Sequence, residues 1–502
     1  MSTNIGRDTL FGICASLTQM ATRFITVPFV VVHIGIDGYG IWSVIMTIAV
    51  YMRFGSAGVK SAFQKYVAEA TGSGNYVRAN RLLSTGSAAM LLLSLIGLVP
   101  AAFFANDLAC LMGVPDRHVP STANAIALLA VIMVLSNVGA VYEAVVMGGH
   151  RIDLARKLNA LFAVLEAIAI VAILHLGYGL VAMTAIMAVS EIAYLLYCYT
   201  IARRILPAIQ IAVRFVSFGV WKELIRYAGS YQLVGMLEVT YAAILPLVVL
   251  KLFGATVAGE YALAHRLVMV SLLVSEAALP PLLSSGSMLY ASGSVEEIRQ
   301  LLLKSFKISF ALAVLPLAFI ASFGTLIIAV WIGISAPALN HMLWLLCLAG
   351  LFRAMSLLQL VLYRASGKSV MDNVRQVLRI VVIVAICILG PFVGLLGVVG
   401  GLAIAEFVGL LFMFYALAQV YKGFTVRILF PDTIKLSGAT LIIMGISLIV
   451  VNVPIPWVEP GRILSALKLA IVVVTIAAAA WPAMRLTGAL TSYELRTMSH
   501  LR

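Results

Sequence analysis

The sequence predicts an all-α polytopic membrane protein with fourteen transmembrane helices and both termini in the cytoplasm. The 502 residues are 63% hydrophobic and only 11% charged, with a mean hydropathy of +1.08. In a soluble domain about a quarter of the residues are charged. Apolar stretches of about 20 residues, the length that crosses a bilayer, recur along the whole chain. The basic residues concentrate in alternate connections, which indicates a membrane topology.

Fourteen apolar stretches are long enough to span a bilayer as helices. They are residues 9–33, 38–58, 82–105, 120–147, 158–176, 179–201, 226–251, 257–288, 305–330, 338–363, 374–392, 395–421, 433–452 and 461–482. The outer connections are short, and the longest of them is 106–119. No folded outer domain is therefore predicted.

The distribution of Lys and Arg gives the orientation. With the N-terminus in the cytoplasm, 26 of the 34 basic residues fall in inner segments, three lie outside and five lie within spans. The inner set includes Arg375 and Arg379 near the start of the eleventh span. The inner connections 59–81 and 202–225 are basic and amphipathic, and helices on the anionic inner leaflet are expected there.

The charge and the cysteines exclude other classes of protein. A net charge of +14 suggests nucleic acid, but the basic residues form short clusters between apolar stretches rather than one patch. The five cysteines contain no CxxC pair, so neither a disulfide framework nor a zinc site is predicted. No cofactor is expected, and nucleic acid is not expected as a partner.

An internal repeat of about 218 residues organises the chain. The segment Pro28–Gly35 resembles Pro246–Gly254, and Glu191 with the Leu-Leu-aromatic sequence after it matches Glu406. An offset of six helices gives two lobes with the same orientation, related by a two-fold axis along the membrane normal, around a central cavity. The predicted parts are a lobe at 1–204, an amphipathic cytoplasmic linker at 205–225, a lobe at 226–421, and two helices with a cytoplasmic tail at 422–502.

The opening Asp8-Thr-Leu-Phe-Gly segment and Ile34-Gly-Ile-Asp-Gly-Tyr-Gly-Ile-Trp42, together with this 6+6+2 plan, resemble one known family. It is the polysaccharide transporter (Wzx-like) branch of the multidrug/oligosaccharidyl-lipid/polysaccharide (MOP) exporter superfamily. The resemblance implies a MATE-like fold and a flippase that moves an undecaprenyl-diphosphate-linked oligosaccharide across the bacterial cytoplasmic membrane by alternating access. Its expected partners are this lipid-linked oligosaccharide, membrane lipids and polysaccharide polymerase or chain-length machinery.

Three other functions compete with this interpretation. One is a non-transporting assembly scaffold, whose central cavity should be lined by apolar side chains and closed to water. A drug/cation antiporter of the same superfamily would have a cavity dominated by acids and aromatic rings. A membrane-embedded glycan polymerase or ligase would present a sizeable outer loop with catalytic groups, and the short outer connections argue against an enzyme. Coupling to H+ or Na+ is compatible with the acids in the spans, but consumption of the glycan outside would also pull the lipid across.

Charged residues within the spans are the candidate site, because an ionised group at mid-bilayer costs at least ~2.5 kcal/mol. Arg23 lies with Ser16, Gln19 and Thr26 on one face of the first span. A guanidinium offers a bidentate fork to phosphate oxygens while it stays protonated. The alternative is that Arg23 is buried and paired with a carboxylate such as Glu166 or Glu238.

Further cations are candidates for binding the same substrate. Arg266, beside His265, and Arg353 lie in the eighth and tenth spans, in the second lobe. Arg53 is a weaker candidate, because it lies near the inner end of its span and can also reach the inner headgroups.

Acidic and aromatic residues are candidates for substrate contact or ion coupling. The seventh span carries Tyr231, Glu238 and Tyr241 in a stripe suited to sugar rings and hydroxyls, although core packing of the tyrosines is an alternative. Glu276 shares a helix face with His265, three turns away. Asp37 resembles the acidic position that follows the first helix in related lipid-linked precursor flippases, although loop acids are often only solvated. Glu191 and Glu406 have either an architectural role, such as pairing with a basic residue, or a coupling role.

Overall fold

The computed structural model describes the backbone of residues 5–54, 57–149, 151–277, 286, 288–290, 295–333, 339–365, 370–420, 430–452 and 461–487. Side chains at 5–14, 16, 48–54, 57–62, 93, 223–234, 274, 276–277, 295, 357–365, 420, 430 and 481 lie outside the described part. These ranges are helical with short connections and contain no β-strand, which confirms the all-α class. The chain divides into two compact units, Met1–Gly259 and Glu260–Arg502.

The described residues of the first unit form seven complete helices and most of an eighth. They are α1 (Ile5–Phe54), α2 (Ala57–Ser73), α3 (Tyr76–Phe103), α4 (Ala105–Leu111), α5 (Val119–Gly148), α6 (Ile152–His175), α7 (Leu180–Ile205) and α8 (Phe218–Ala277). Helix α8 continues into the second unit, so its last part belongs there. A core cluster from α2, α3, α5 and α7, with Phe63, Leu83 and Val145 among its buried members, holds this unit together.

The second unit contains six further helices within the described residues. They are α9 (Val295–Ile332), α10 (Leu339–Ala365), α11 (Val370–Ile388), α12 (Gly390–Val420), α13 (Phe430–Val451) and α14 (Arg462–Leu486). The last two pack on each other and on α9, around buried Phe323 and Ile443. Arg462 at the start of α14 donates to the carbonyl oxygens of Val330 (2.8 Å) and Trp331 (3.1 Å), which satisfies carbonyls at the end of α9.

Every predicted span overlaps a helix, yet eleven helical stretches of the described chain are long and apolar enough to cross a membrane. Two of these, Leu17–Thr47 and Gly235–Leu273, each cover two predicted spans. Helix α11 is not among the eleven, because it carries three charged residues in nineteen. The chain is a multi-pass membrane protein, and residues 278–285 of the eighth predicted span lie outside the described residues.

Positive-φ glycines follow the predicted repeat. Helix α1 breaks at Gly35 (φ 74°, ψ 169°) and α8 breaks at Gly254 (φ 87°, ψ 175°), so each merged stretch contains two helices. Two further pairs share nearly the same offset, namely Gly113 with Gly333 and Gly177 with Gly394. The two halves of the chain therefore turn at equivalent points.

Replacement of Gly35 or Gly254 by alanine tests these turns. Nothing lies within 4 Å of an added Cβ at either position, so the cost is backbone strain alone. We expect each variant to lose about 1–3 kcal/mol of stability, measured by thermal unfolding in detergent. Gly445→Ala is the control, because Gly445 is helical with open space around it, and alanine there is neutral or stabilising. Unchanged stability in both turn variants would contradict the assigned backbone.

Of the two connections predicted to form helices, one is helical at α2, and the other, the linker, is not α-helical over 206–217. Residues 206–217 form an irregular strap with a single 3-10 turn, Val213–Phe215. Three buried side chains of α3 hold it: Asn80 accepts from Gln210 N at 2.9 Å, Ser84 from Ala212 N at 3.1 Å, and Thr85 from Ser217 N at 3.0 Å. Because these side chains satisfy the backbone N–H groups of the strap, a helix is not needed there.

Candidate functional site

The cationic stripe of the first unit lies on α1. The Arg23 side chain is exposed, and Gln19 and Thr26 are half-buried on the same face. The Thr26 hydroxyl donates to the Thr22 carbonyl oxygen at 2.7 Å, so it is satisfied by its own helix. Arg23 lies twelve residues before the break at Gly35, about 18 Å along the helix. The structure therefore presents this guanidinium at the surface of the helix instead of burying it in the protein core.

In the second unit, α8 and α10 bring two candidates together. Arg353 lies close enough to His265 for a direct electrostatic interaction, and both side chains are half-buried. The His265 ring stacks on Tyr261, with ring centroids 5.5 Å apart and planes 22° apart. Arg266 is also half-buried. Arg266 and Arg353, two cation candidates that are distant in the sequence, thus lie on neighbouring helices of one unit.

The remaining candidates divide into placed and unplaced residues. Tyr241 is 3% exposed, as expected for core packing, and Glu238 is half-buried one turn before it. The side chains of Arg53, Tyr231 and Glu276 lie outside the described residues. The stripe on the seventh span and the His265–Glu276 pair consequently stay predictions.

Asp37 is more than a solvated loop acid. Its carboxylate forms an ion pair with Arg117 at 2.8 Å and accepts from the Thr256 hydroxyl at 2.7 Å. Asp37 and Thr256 each stand two residues after a glycine break, and the same offset relates them. Arg117 belongs to the connection 106–119, the longest of those predicted to lie outside. We call Asp37, Arg117 and Thr256 the outer polar cluster.

Beside this cluster, two helix segments approach with backbone-to-backbone contact. A Cβ on Gly40 would overlap the Ala255 carbonyl oxygen and lie 2.6 Å from Gly259 N. A Cβ on Gly259 would overlap the Ile36 carbonyl oxygen. Small residues permit such close crossings in membrane proteins. Because Gly40 and Gly259 are themselves repeat equivalents, the crossing occurs between matching points of the two repeats.

A buried charged network between α11 and α12 was missed by the sequence analysis. Asp372, Arg375, Gln376 and Arg379 are at most 2% exposed on one face of α11, and Glu406 on α12 is equally buried. Arg379 forms an ion pair with Glu406 and donates to Gln376 Oε1 at 2.7 Å. Arg375 Nε lies 3.9 Å from Asp372 Oδ1.

This network places two arginines in the protein core. Arg375 and Arg379, which the charge distribution assigns to the inner side, have stems that pack on Gly409. Their spacing with Asp372 and Gln376, at three, four and seven residues, is the helical signal that could have indicated a shared face. The pairing of Glu406 with a basic residue is confirmed. In the first unit, buried Glu143 accepts from Asn159 at 3.1 Å.

Comparison with known proteins identifies the family. Residues 5–286, more than half of the chain, match the model of a family described as polysaccharide biosynthesis protein. The uncharacterized membrane protein EpsK of Bacillus subtilis (strain 168) is 24% identical over 325 residues. That match covers 63% of this chain, and the chain spans 63% of the length of this curated relative.

Two solved structures share the fold. An inward-facing multidrug resistance MATE family transporter of the MOP superfamily aligns over 81% of this chain and 96% of its own, with a TM-score of 0.69 and 16% identity. The lipid II flippase MurJ, in an inward closed conformation, aligns over 94% of this chain and 99% of its own, with a TM-score of 0.71 and 13% identity. The chain therefore has the fold of MOP superfamily transporters and belongs to the polysaccharide biosynthesis protein family.

Proposed function

We propose that this protein is a flippase that carries an undecaprenyl-diphosphate-linked oligosaccharide from the inner to the outer leaflet of a bacterial cytoplasmic membrane. The observation that carries the proposal is the placement of guanidinium groups within apolar helices of both units, at Arg23 in the first and at Arg266 and Arg353 in the second. A diphosphate that leaves water needs a permanent cation as partner, and arginine supplies one with bidentate geometry.

The relatives support transport of a lipid-linked glycan. The family is described by polysaccharide biosynthesis, and the solved structure of MurJ is that of a lipid II flippase. Both descriptions agree with a lipid-linked saccharide as cargo. Transport also agrees with the short outer connections, which leave little room for the catalytic loop of a polymerase or ligase.

We infer fourteen spans with both termini in the cytoplasm. The stretches Leu17–Thr47 and Gly235–Leu273 have 31 and 39 residues, and each is interrupted by a glycine break. At 1.5 Å per residue they would be about 46 and 58 Å long as straight helices, well beyond the ~30 Å hydrocarbon core. Counting each as two spans and adding α11 raises eleven to fourteen. The alternation of basic connections supports the orientation.

We propose that the outer polar cluster closes the outer side of the transport path. Equivalent residues of a two-fold repeat can touch only near the symmetry axis, and Asp37 with Thr256 and Gly40 with Gly259 are such pairs. Alternating access about that axis separates the outer ends of the repeats in one state. The hydrogen bond between Asp37 and Thr256 then breaks in each cycle, while the turns at Gly35 and Gly254 absorb the movement.

Coupling to H+ or Na+ is proposed through Glu238, the half-buried carboxylate of the seventh predicted span. A pH or sodium gradient imposed on proteoliposomes tests this, because Glu238→Gln should remove any acceleration by the gradient. If neither gradient changed the rate of transport by the unsubstituted protein, coupling would be contradicted. Transport driven by consumption of the glycan on the outer side would then be favoured. Polysaccharide polymerase or chain-length machinery on the outer side is the proposed partner that would consume the glycan.

A drug/cation antiporter is the second candidate, because a MATE transporter has the same fold. The two functions require opposite charges along the path. Organic cations are attracted by acids, whereas a diphosphate is attracted by arginines. The presence of Arg23, Arg266 and Arg353 in apolar helices favours the anionic cargo.

The arginines can be tested in proteoliposomes that contain a fluorescent undecaprenyl-diphosphate oligosaccharide, with outer-leaflet exposure read by a membrane-impermeant quencher. We expect Arg23→Gln, Arg266→Gln and Arg353→Gln each to slow transfer about 10- to 100-fold, the loss of one charge-assisted contact. Arg204→Gln is the control, because Arg204 is exposed at the cytoplasmic end of α7. Full transfer by all three variants at normal protein levels would refute their role.

A further inference from the structure

Two histidines of the first unit converge at helix ends. His33 stands two residues before the break in α1, and His175 is the last residue of α6. These two helices pack against each other. The imidazole centroids are 4.7 Å apart, the planes make an angle of 49°, and both side chains are exposed.

Hydrogen bonds to the backbone fix the same tautomer in both rings. Nδ1 of His33 lies 2.7 Å from the Phe29 carbonyl oxygen, and Nδ1 of His175 lies 2.9 Å from that of Val171. A carbonyl oxygen only accepts, so each Nδ1 carries the proton and donates it. In each neutral ring Nε2 then holds the lone pair. Metal-binding histidines are oriented in this way, with the second nitrogen donating to a carbonyl or carboxylate.

The separation of the two rings matches that of two imidazole ligands of one metal ion. With metal–nitrogen distances of about 2.0–2.1 Å, an imidazole centroid lies about 3 Å from the metal, and two rings at 90–110° have centroids about 4.5–5 Å apart. The 4.7 Å separation lies in this range. Both rings stand in the last turn before a helix ends, where the carbonyl end of the helix dipole favours a cation.

We propose that His33 and His175 bind a divalent transition-metal ion, Zn2+ or Cu2+, which clips the first half of α1 to the end of α6. Imidazole nitrogen is a preferred ligand of both ions. No group of three or more His, Cys, Asp or Glu side chains is arranged for a metal among the described residues, so water completes the coordination. In the proposed orientation the site lies at the outer end of both helices. The proposal does not depend on the identity of the transported substrate.

Binding of Cu2+ to the full-length protein in detergent, purified without a histidine tag, tests the site. We expect one Cu2+ per chain, with electron paramagnetic resonance hyperfine structure from two imidazole nitrogens, and displacement by Zn2+. His33→Gln or His175→Gln leaves one imidazole ligand. We expect the affinity for Cu2+ to fall about a hundredfold, because the second ring no longer acts at high effective concentration. Both positions are exposed, so glutamine is compatible with folding.

The control and a second readout separate the pair from other histidines. His341→Gln removes an exposed histidine on α10 and should leave the spectrum unchanged. Zn2+ should raise the thermal unfolding midpoint of the unsubstituted protein and of the His341 variant, but not of the His33 and His175 variants. A spectrum with a single imidazole nitrogen in the unsubstituted protein, or a Cu2+ affinity of both pair variants equal to that of the unsubstituted protein, would overturn the proposal.

Discussion

Glu406→Gln is expected to lower the free energy of unfolding by about 3–5 kcal/mol, the typical cost of breaking a buried ion pair. The substitution keeps the shape of the side chain but removes the negative charge that pairs with the buried Arg379 guanidinium. Both residues are at most 2% exposed, and Gln376 can offer only a neutral oxygen in compensation. Unfolding of the purified protein in mixed detergent and denaturant measures the difference.

Two variants show whether the charge itself is responsible. The double variant Arg379→Met with Glu406→Leu removes both charges, and we expect it to recover most of the lost stability. Glu296→Gln breaks the exposed pair with Arg299, whose atoms are 3.2 Å apart, and should change stability by less than about 1 kcal/mol. If Glu406→Gln were as mild as Glu296→Gln, the assigned network would be wrong.

A disulfide between cysteines at positions 37 and 256 is expected to stop transport completely and reversibly. The Asp37 and Thr256 side chains are within hydrogen-bonding distance, and we propose that they separate whenever the outer side opens. A covalent link would hold the outer side closed, and a reductant would release it. The Asp37→Cys/Thr256→Cys variant is made in a background without native cysteines, since Cys110 is exposed in the neighbouring connection. Transfer of fluorescent lipid is measured before and after reduction.

Controls distinguish a locked path from a damaged protein. Each single cysteine variant, treated with the same oxidant, should keep its activity. A second cysteine pair replaces Ser94 and Asn137, which are hydrogen-bonded at 2.6 Å between α3 and α5 within the first repeat. We expect this link to leave transport intact. Undiminished transport with the 37–256 link fully formed would show that the outer cluster does not open.

The repeat and the helices could be predicted because both leave local signals in the sequence. Gly35 and Gly254 occupy matched positions in the repeat, and the structure places a helix break at each. The same offset relates Asp37 and Thr256, which are hydrogen-bonded to each other. Asp37 considered alone, as one acidic residue in a connection, did not predict this contact. The apolar stretches predicted the positions of the helices, because the thickness of the bilayer sets the length of a spanning helix.

Side-chain partners could not be predicted, because they depend on which helices pack together. Glu406 lies 27 residues from Arg379, and Arg117 lies 80 residues from Asp37. The rule that basic residues stay inside counts charges without regard to burial, so it gives no sign that Arg375 and Arg379 are buried in the core. The strap at 206–217 was missed for a related reason, because its backbone is satisfied by polar side chains of α3 that are distant in sequence.

The preference of the reconstituted protein for a diphosphate tests the central claim most directly. Two fluorescent lipids with the same glycan and undecaprenyl chain are compared, one joined through a diphosphate and one through a neutral ether. We predict that the diphosphate lipid crosses at least about tenfold faster, and that Arg23→Gln and Arg266→Gln remove most of this preference. Equal rates for the two lipids, or a preference that survives both substitutions, would contradict a path built around arginine and pyrophosphate.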